Sequence, residues 1–118
     1  MIVEVIHMPQ KKRLIKGSVD SLLLSLINQQ PMYGYQILKE LEKRSQGYFK
    51  FQEGTLYPAL HRLEKSGLIT GKWQALSGNR QRRYYHITEK GSQRLAVHVS
   101  QLQDFLTALN LILNPSGV

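Results

Sequence analysis

Two short stretches of the sequence, residues 53–65 and residues 72–83, carry basic side chains that could bind an anion. The first stretch contains His61, Arg62 and Lys65, and the second contains Lys72, Arg80, Arg82 and Arg83. Arginine suits phosphate binding because its planar guanidinium makes two parallel hydrogen bonds. The two stretches therefore indicate a surface that binds a polyanion. The alternative is a solvated helix face together with an edge strand that its charges protect from aggregation.

The charge of the whole chain is unevenly distributed. Its 118 residues carry a formal net charge of +8. Residues 92–118 contain one base, Arg94, and one acid, Asp104, so residues 1–91 carry 15 bases and 7 acids. A basic body joined to a neutral, leucine-rich tail predicts a polyanionic partner for the body and a protein partner for the tail.

The sequence lacks the patterns that support catalysis or metal binding. Its 4 histidines are scattered over different predicted elements, it has no cysteine, and no HExxH, GxGxxG or GxxxxGK[ST] motif occurs. We therefore expect no enzyme activity, no metal and no cofactor. No stretch approaches the roughly 18 consecutive apolar residues of a membrane span, so we expect no membrane partner and a cytoplasmic location.

The elements that position the basic residues follow from the periodicity of the apolar ones. A helical period predicts helices over about 18–28, 34–44 and 53–66, and Pro58 is tolerated because it falls near the first turn of the third helix. Two strand-like runs, 69–74 and 82–87, flank the turn signal Ser77-Gly78-Asn79 and predict a β-hairpin. Thr88 can cap a final helix that runs to about Leu113. The predicted fold class is mainly α with a small β-hairpin, a winged helix-turn-helix head followed by a long C-terminal helix.

The third helix has one apolar side and one polar side. At about 100° per residue, Leu56, Leu60 and Leu63 lie opposite the basic residues. A helix about 10–12 Å across fits a DNA major groove about 12 Å wide, and the N-terminal residues of such a helix reach base edges. The residues assigned to this surface are Thr55, Tyr57, His61, Arg62 and Lys65.

The start of the second helix and the hairpin complete the predicted DNA surface. The first turns of the second helix carry polar and aromatic residues that can contact phosphate, namely Tyr33, Tyr35, Gln36 and Lys39. Tyr35 shares a face with Leu38, so a half-buried position in the core is an equal alternative. In the hairpin, Lys72, Arg80, Arg82 and Arg83 are assigned to the DNA backbone or the adjacent minor groove.

Several sequence motifs resemble one known family. The segments YGYQI (33–37), EGTLYPALHRLE (53–64), GLI (67–69) and RRYYHITEKG (82–91) are similar to the PadR family of bacterial transcriptional regulators. The resemblance covers about residues 15–113, in the same order and spacing. It implies a DNA-binding repressor that is usually dimeric and whose C-terminal helix mediates dimerisation.

The tail carries an apolar stripe that exceeds what the small head can cover. Its leucines and valine recur at spacings of four and three, and Phe105 and Ile112 widen the stripe. Such a stripe packs on a second chain or folds back on its own domain, and we favour the second chain because two-fold dimers are the commonest oligomers. The residues assigned to dimerisation are Leu95, Val99, Leu102, Phe105, Leu106, Leu109, Ile112 and Leu113.

These observations predict three regions: a flexible basic arm (1–14), a winged helix-turn-helix DNA-binding domain (15–91) and a dimerisation helix (92–118). The predicted function is repression by a homodimer on a near-palindromic double-stranded operator, in the cytoplasm and associated with the nucleoid. One alternative is a sensor released from DNA by a small aromatic effector, as the resemblance implies for many members. In the multidrug-binding branch of the family the ligand stacks on a tryptophan of the C-terminal helix, whereas Trp73 lies in the hairpin. A protein-binding winged-helix adaptor is the other alternative.

Overall fold

The computed structural model describes residues 18–114, and the predicted N-terminal arm lies outside this range. The elements in chain order are α1 (residues 18–29), β1 (Met32–Tyr33), α2 (Gly34–Arg44), α3 (Glu53–Lys65), β2 (Ile69–Ala75), β3 (Gln81–Ile87) and α4 (Glu89–Leu113). Four helices and a small antiparallel sheet confirm the predicted fold class. The helix and strand boundaries agree with the sequence to within one or two residues.

The sheet has three strands in the order β1-β3-β2, all antiparallel. The β2–β3 hairpin, which we call the wing, is the predicted one, and its register pairs Ile69 with Ile87 and Ala75 with Gln81. The two-residue strand β1 pairs with Tyr84 and Tyr85 on the other side of β3. This strand leads directly into α2, so Tyr33 and the predicted DNA-contacting residues of the wing strands belong to one sheet.

The core lies between the three short helices and the base of the sheet. Its most deeply buried large side chains are Leu23, Leu24, Ile27, Met32, Ile37, Leu56, Leu60 and Ile69. The buried residues of α3, including Leu56, Leu60 and Leu63, form the apolar stripe read from the sequence. Burial of this stripe leaves the opposite face of α3 exposed, and that face carries the candidate contact residues.

Glycine and threonine set the angle between α3 and the wing. Gly67 adopts a left-handed conformation with φ of 78°, and Leu68 after it donates a backbone hydrogen bond of 3.0 Å to Leu63. Gly67 and Leu68 thus form the C-terminal cap of α3. Thr88 follows β3 directly, at the same end of the wing as Gly67. Its hydroxyl accepts a hydrogen bond from the Gly91 backbone and donates to the carbonyl of Gly67 at 2.6 Å. One residue thus joins the base of the wing to the start of α4.

Helix α4 begins in the head and then leaves it. Gly91 and Leu95 are its buried residues, and every residue from Ser100 to Leu113 is exposed. At about 1.5 Å per residue, this exposed part extends for about 20 Å. The head therefore covers only the first turns of the predicted dimerisation helix.

Candidate nucleic-acid interface

The exposed face of α3 and one face of the wing enclose an open groove of about 790 Å³. The groove is lined by aromatic, basic and acidic side chains: Tyr57, Pro58, His61, Glu64, Lys65, Arg83 and Tyr85. Four of the residues that the sequence assigns to DNA contact are among them. Long-range folding has therefore placed residues from the two basic stretches on one concave surface.

Tyr57 is held in the groove by the start of α2. A Cβ atom at Gly34 would overlap the phenol ring of Tyr57, so the ring packs directly on the glycine. Burial raises the pKa of the Tyr57 phenol above its ordinary value, and the negative charge of Glu53 and the nearby Tyr85 raise it further. At neutral pH Tyr57 is therefore an uncharged hydroxyl that can donate a hydrogen bond to a phosphate or a base.

Arg62 lies at the edge of α3 nearest to α1 and does not line the groove. Its Nη2 donates to Oδ1 of Asp20 at 2.6 Å, in a partly exposed ion pair. The Asp20 carboxylate therefore joins α1 to α3.

The consecutive arginines Arg82 and Arg83 lie on opposite faces of the wing, since side chains alternate along a strand. The Arg82 guanidinium lies 3.9 Å from the centre of the Tyr33 ring, a cation–π contact. Tyr33 in turn meets Tyr84 edge-on, with 5.4 Å between ring centres. Arg83 is on the groove side, where its Nη2 donates to Oε2 of Glu64 at 2.5 Å.

Three further candidate residues keep their charges available. Lys65, Lys72 and Arg80 are exposed, and among the ion pairs of residues 18–114 none involves these side chains. Thr55 is exposed in the first turn of α3. Of these residues, Lys65 lines the groove, whereas Lys72 pairs with Tyr84 and so lies on the face of the wing opposite Arg83. A polyanion that enters the groove therefore meets the unneutralised charge of Lys65, and further exposed bases lie elsewhere on the wing.

The first turns of α2 carry the remaining candidate contacts. Tyr35 is 54% exposed, and the Nζ of Lys39 lies 5.4 Å from the centre of its ring. This exposure favours the surface interpretation of Tyr35 over the core one. Gln36 and Tyr33 are half-buried.

The predicted dimerisation residues fall into two groups. Leu95 is buried in the core of its own chain, and Val99 packs against that core, because α4 still lies on the head there. The others are 37% to 78% exposed: Leu102, Phe105, Leu106, Leu109, Ile112 and Leu113. These exposed apolar side chains have no partner within residues 18–114 large enough to cover them.

Three polar contacts were not evident from the sequence. Glu64 and Asp20 bind the arginines named above, and the Ser21 hydroxyl lies 3.3 Å from Nδ1 of His98, which links α1 to α4. Each joins residues at least 19 positions apart. Only the assembled fold brings them together, although Glu64 stands within a motif that carries the family resemblance.

The three helices, the wing and the basic groove define the molecule as a winged helix-turn-helix protein. A model of the transcriptional regulator PadR-like family matches residues 23–97, well over half of the chain, and the chain belongs to this family. It is therefore a transcriptional regulator and not an enzyme, and membership implies DNA binding. In the described part of the chain, no helix has both the length and the apolar character needed to cross a membrane.

Individual relatives agree with this assignment. The chain is 33% identical over 100 residues to an uncharacterized protein of Lysinibacillus sphaericus, covering 85% of this chain and 92% of that one. It is 36% identical over 64 residues to the transcriptional regulator Rv3488 of Mycobacterium tuberculosis, covering 54% of this chain and 56% of the relative. The crystal structure of a PadR-like transcriptional regulator of Bacillus cereus superposes with a TM-score of 0.76 at 33% identity, covering 86% of this chain and 97% of that one.

Proposed function

We propose that the chain represses transcription by binding, as a homodimer, to a near-palindromic operator in double-stranded DNA. The observation that carries the proposal is the groove between α3 and the wing, with Lys65 exposed in its lining and with Lys72 and Arg80 exposed elsewhere on the wing. In this arrangement α3 enters the major groove and the wing follows the backbone or the adjacent minor groove. Bound at a promoter in the cytoplasm, on the nucleoid, the dimer blocks transcription by occupancy.

In this proposal the chain has two functional parts. Residues 15–91 bind DNA in this proposal, and residues 92–118 pair with a second copy. Support for pairing comes from the exposed apolar side chains of α4, because a helix with such a face needs a partner. Two heads held about 34–36 Å apart place their α3 helices in successive major grooves of the operator.

The first experiment is selection of bound duplexes from a random pool, followed by mobility-shift titration of the selected sequence at several salt concentrations. We expect a near-palindromic consensus and an affinity that falls steeply with salt, because phosphate contacts release counterions. A complete absence of salt-sensitive duplex binding would favour the protein-binding adaptor instead.

Substitution of the free basic residues tests the assignment of the interface. Lys72→Ala and Arg80→Ala each remove one phosphate contact per protomer, so we expect each to lower the salt slope by about two in the dimer. Lys43→Ala is the matched control, since Lys43 is an exposed base in the last turn of α2, at the end opposite Tyr35. An equal loss in the control would mean that general charge, rather than this surface, governs binding.

Control by a small aromatic effector stays a prediction. Trp73 is on β2 and 63% exposed, so it does not occupy a position on α4 where a ligand could stack. A calorimetric screen of aromatic compounds tests this possibility. Release of a bound duplex by one of them would add a sensor function to the repressor.

A further inference from the structure

An acidic side chain, Glu64, lines the groove that DNA is proposed to enter. Glu64, on α3, accepts a hydrogen bond from the Gly71 backbone at 3.0 Å and another from Arg83 at 2.5 Å. Both donors belong to the wing, one on β2 and one on β3. One carboxylate therefore joins the recognition helix to both strands of the wing.

The Arg83 side chain also packs against other residues of the wing. Its guanidinium lies 5.5 Å from the centre of the Trp73 ring and 5.9 Å from that of Tyr85. Gly71 leaves the space that the guanidinium fills, because a Cβ at this position would overlap it. The Arg83 guanidinium is thus packed against two aromatic rings, a glycine and a carboxylate. These contacts hold it in one position on the wing.

A carboxylate facing a polyanion repels it, so Glu64 is unfavourable for DNA binding unless it does something else. We propose that Glu64 and Arg83 are positioning residues, which fix the distance and angle between α3 and the wing so that both reach the same duplex. We call Glu64, Gly71, Trp73 and Arg83 the wing clamp. The inference rests on the proposed function, and it assigns to Arg83 a role different from that of the free bases Lys72 and Arg80.

The variant Glu64→Gln separates the wing clamp from a simple charge effect, because the two predict changes of opposite sign. If Glu64 only adds negative charge to the groove, its loss strengthens DNA binding. If it positions the wing, Glu64→Gln weakens binding to the selected operator by roughly fivefold, the upper range for a partly exposed ion pair. Glu42→Gln is the control, since it removes an acid of α2 whose side chain makes no ion pair among the described residues.

Arg83 is tested by the salt dependence rather than by affinity alone. Arg83→Met breaks the wing clamp and lowers operator affinity, yet we expect the salt slope to stay at the wild-type value because no phosphate contact is lost. A slope reduced by about two, as expected for Lys72→Ala, would overturn the proposal and make Arg83 a phosphate ligand. Arg83→Lys keeps the charge but not the planar fork, so we expect it to behave like Arg83→Met.

Two measurements on the free protein, without DNA, test whether Glu64 holds the wing in place. The chain has 1 tryptophan, so its fluorescence reports on Trp73 alone. In Glu64→Gln we expect easier quenching of Trp73 by acrylamide and faster hydrogen exchange at the Gly71 amide, with circular dichroism unchanged. If the wild-type protein bound no duplex, the proposed function would be wrong. The quenching and exchange measurements would still test whether Glu64 holds the wing in place. Unchanged quenching and exchange would reject the clamp even if DNA binding were confirmed.

Discussion

Neighbouring residues of the same type can have different roles, and Arg82 and Arg83 show why. Strand alternation sends them to opposite faces of the wing, where Arg82 meets Tyr33 and Arg83 meets Glu64. The sequence predicts the alternation, since both residues lie in a recognisable strand. The sequence does not reveal which side chain from another element contacts each face of the wing. The contact with that side chain determines whether an arginine is free to bind phosphate.

Gly34 provides a residue-scale test of how Tyr57 is positioned. In Gly34→Ala the new methyl overlaps the far end of the Tyr57 ring, and a flexible side chain yields more easily than backbone. We expect the ring to move into solvent, with only a small loss of stability and weaker operator binding. Because burial is the main cause of the raised pKa, the pKa of Tyr57 should fall toward its ordinary value. Titration of the labelled tyrosine ring by NMR measures this shift.

Gly54→Ala is the control for that experiment. Gly54 is also a helical glycine, but a Cβ added there meets nothing within 4 Å. We expect Tyr57 to titrate as in the wild type and the helix to gain up to about 1 kcal/mol. An unchanged Tyr57 pKa in Gly34→Ala would show that the glycine is not what seats the ring.

At the scale of elements, the helices and the wing are predictable because each carries a long periodic pattern bounded by its own stop signals. Thr88, for example, is predicted to cap the final helix, and its side chain does so in the structure. Strand β1 was not predicted. It is only two residues long, and its pairing with Tyr84 and Tyr85 depends on a segment about fifty positions away.

The joint between the wing and α4 depends on Gly91. A Cβ there would overlap the carbonyl oxygen of Leu68, which accepts a hydrogen bond from the Thr88 backbone at 3.1 Å. Backbone cannot rotate away as a side chain can, so we expect Gly91→Ala to lower the free energy of unfolding by about 1–3 kcal/mol. Urea denaturation followed by circular dichroism measures it. Ser92→Ala, one residue further and exposed, should cost nothing.

At the scale of the whole molecule, the apolar stripe of α4 has a packed part and an exposed part. Its first residues, Leu95 and Val99, pack on the chain's own head, while residues from Leu102 onward stay exposed. The sequence could predict the stripe but not this division, since the point where the helix leaves the head depends on how the wing and α1 place it. The Ser21–His98 contact lies close to that point. Because α4 is one continuous helix, its packing on the head determines how the head is oriented in the proposed dimer.

The proposed dimer predicts that the two sides of α4 respond differently to charge. Leu102 and Leu106 lie within about 20° of the direction of Leu95 around the helix, whereas Val97 and Leu111 lie on the opposite side. Both pairs are exposed, at 40% and 53% for the first and 54% and 65% for the second. We expect Leu102→Glu with Leu106→Glu to give monomers in sedimentation and to halve the salt slope of DNA binding, because one head makes half the phosphate contacts. Val97→Glu with Leu111→Glu should leave a dimer, and dissociation by both pairs alike would mean that the stripe does not define the interface.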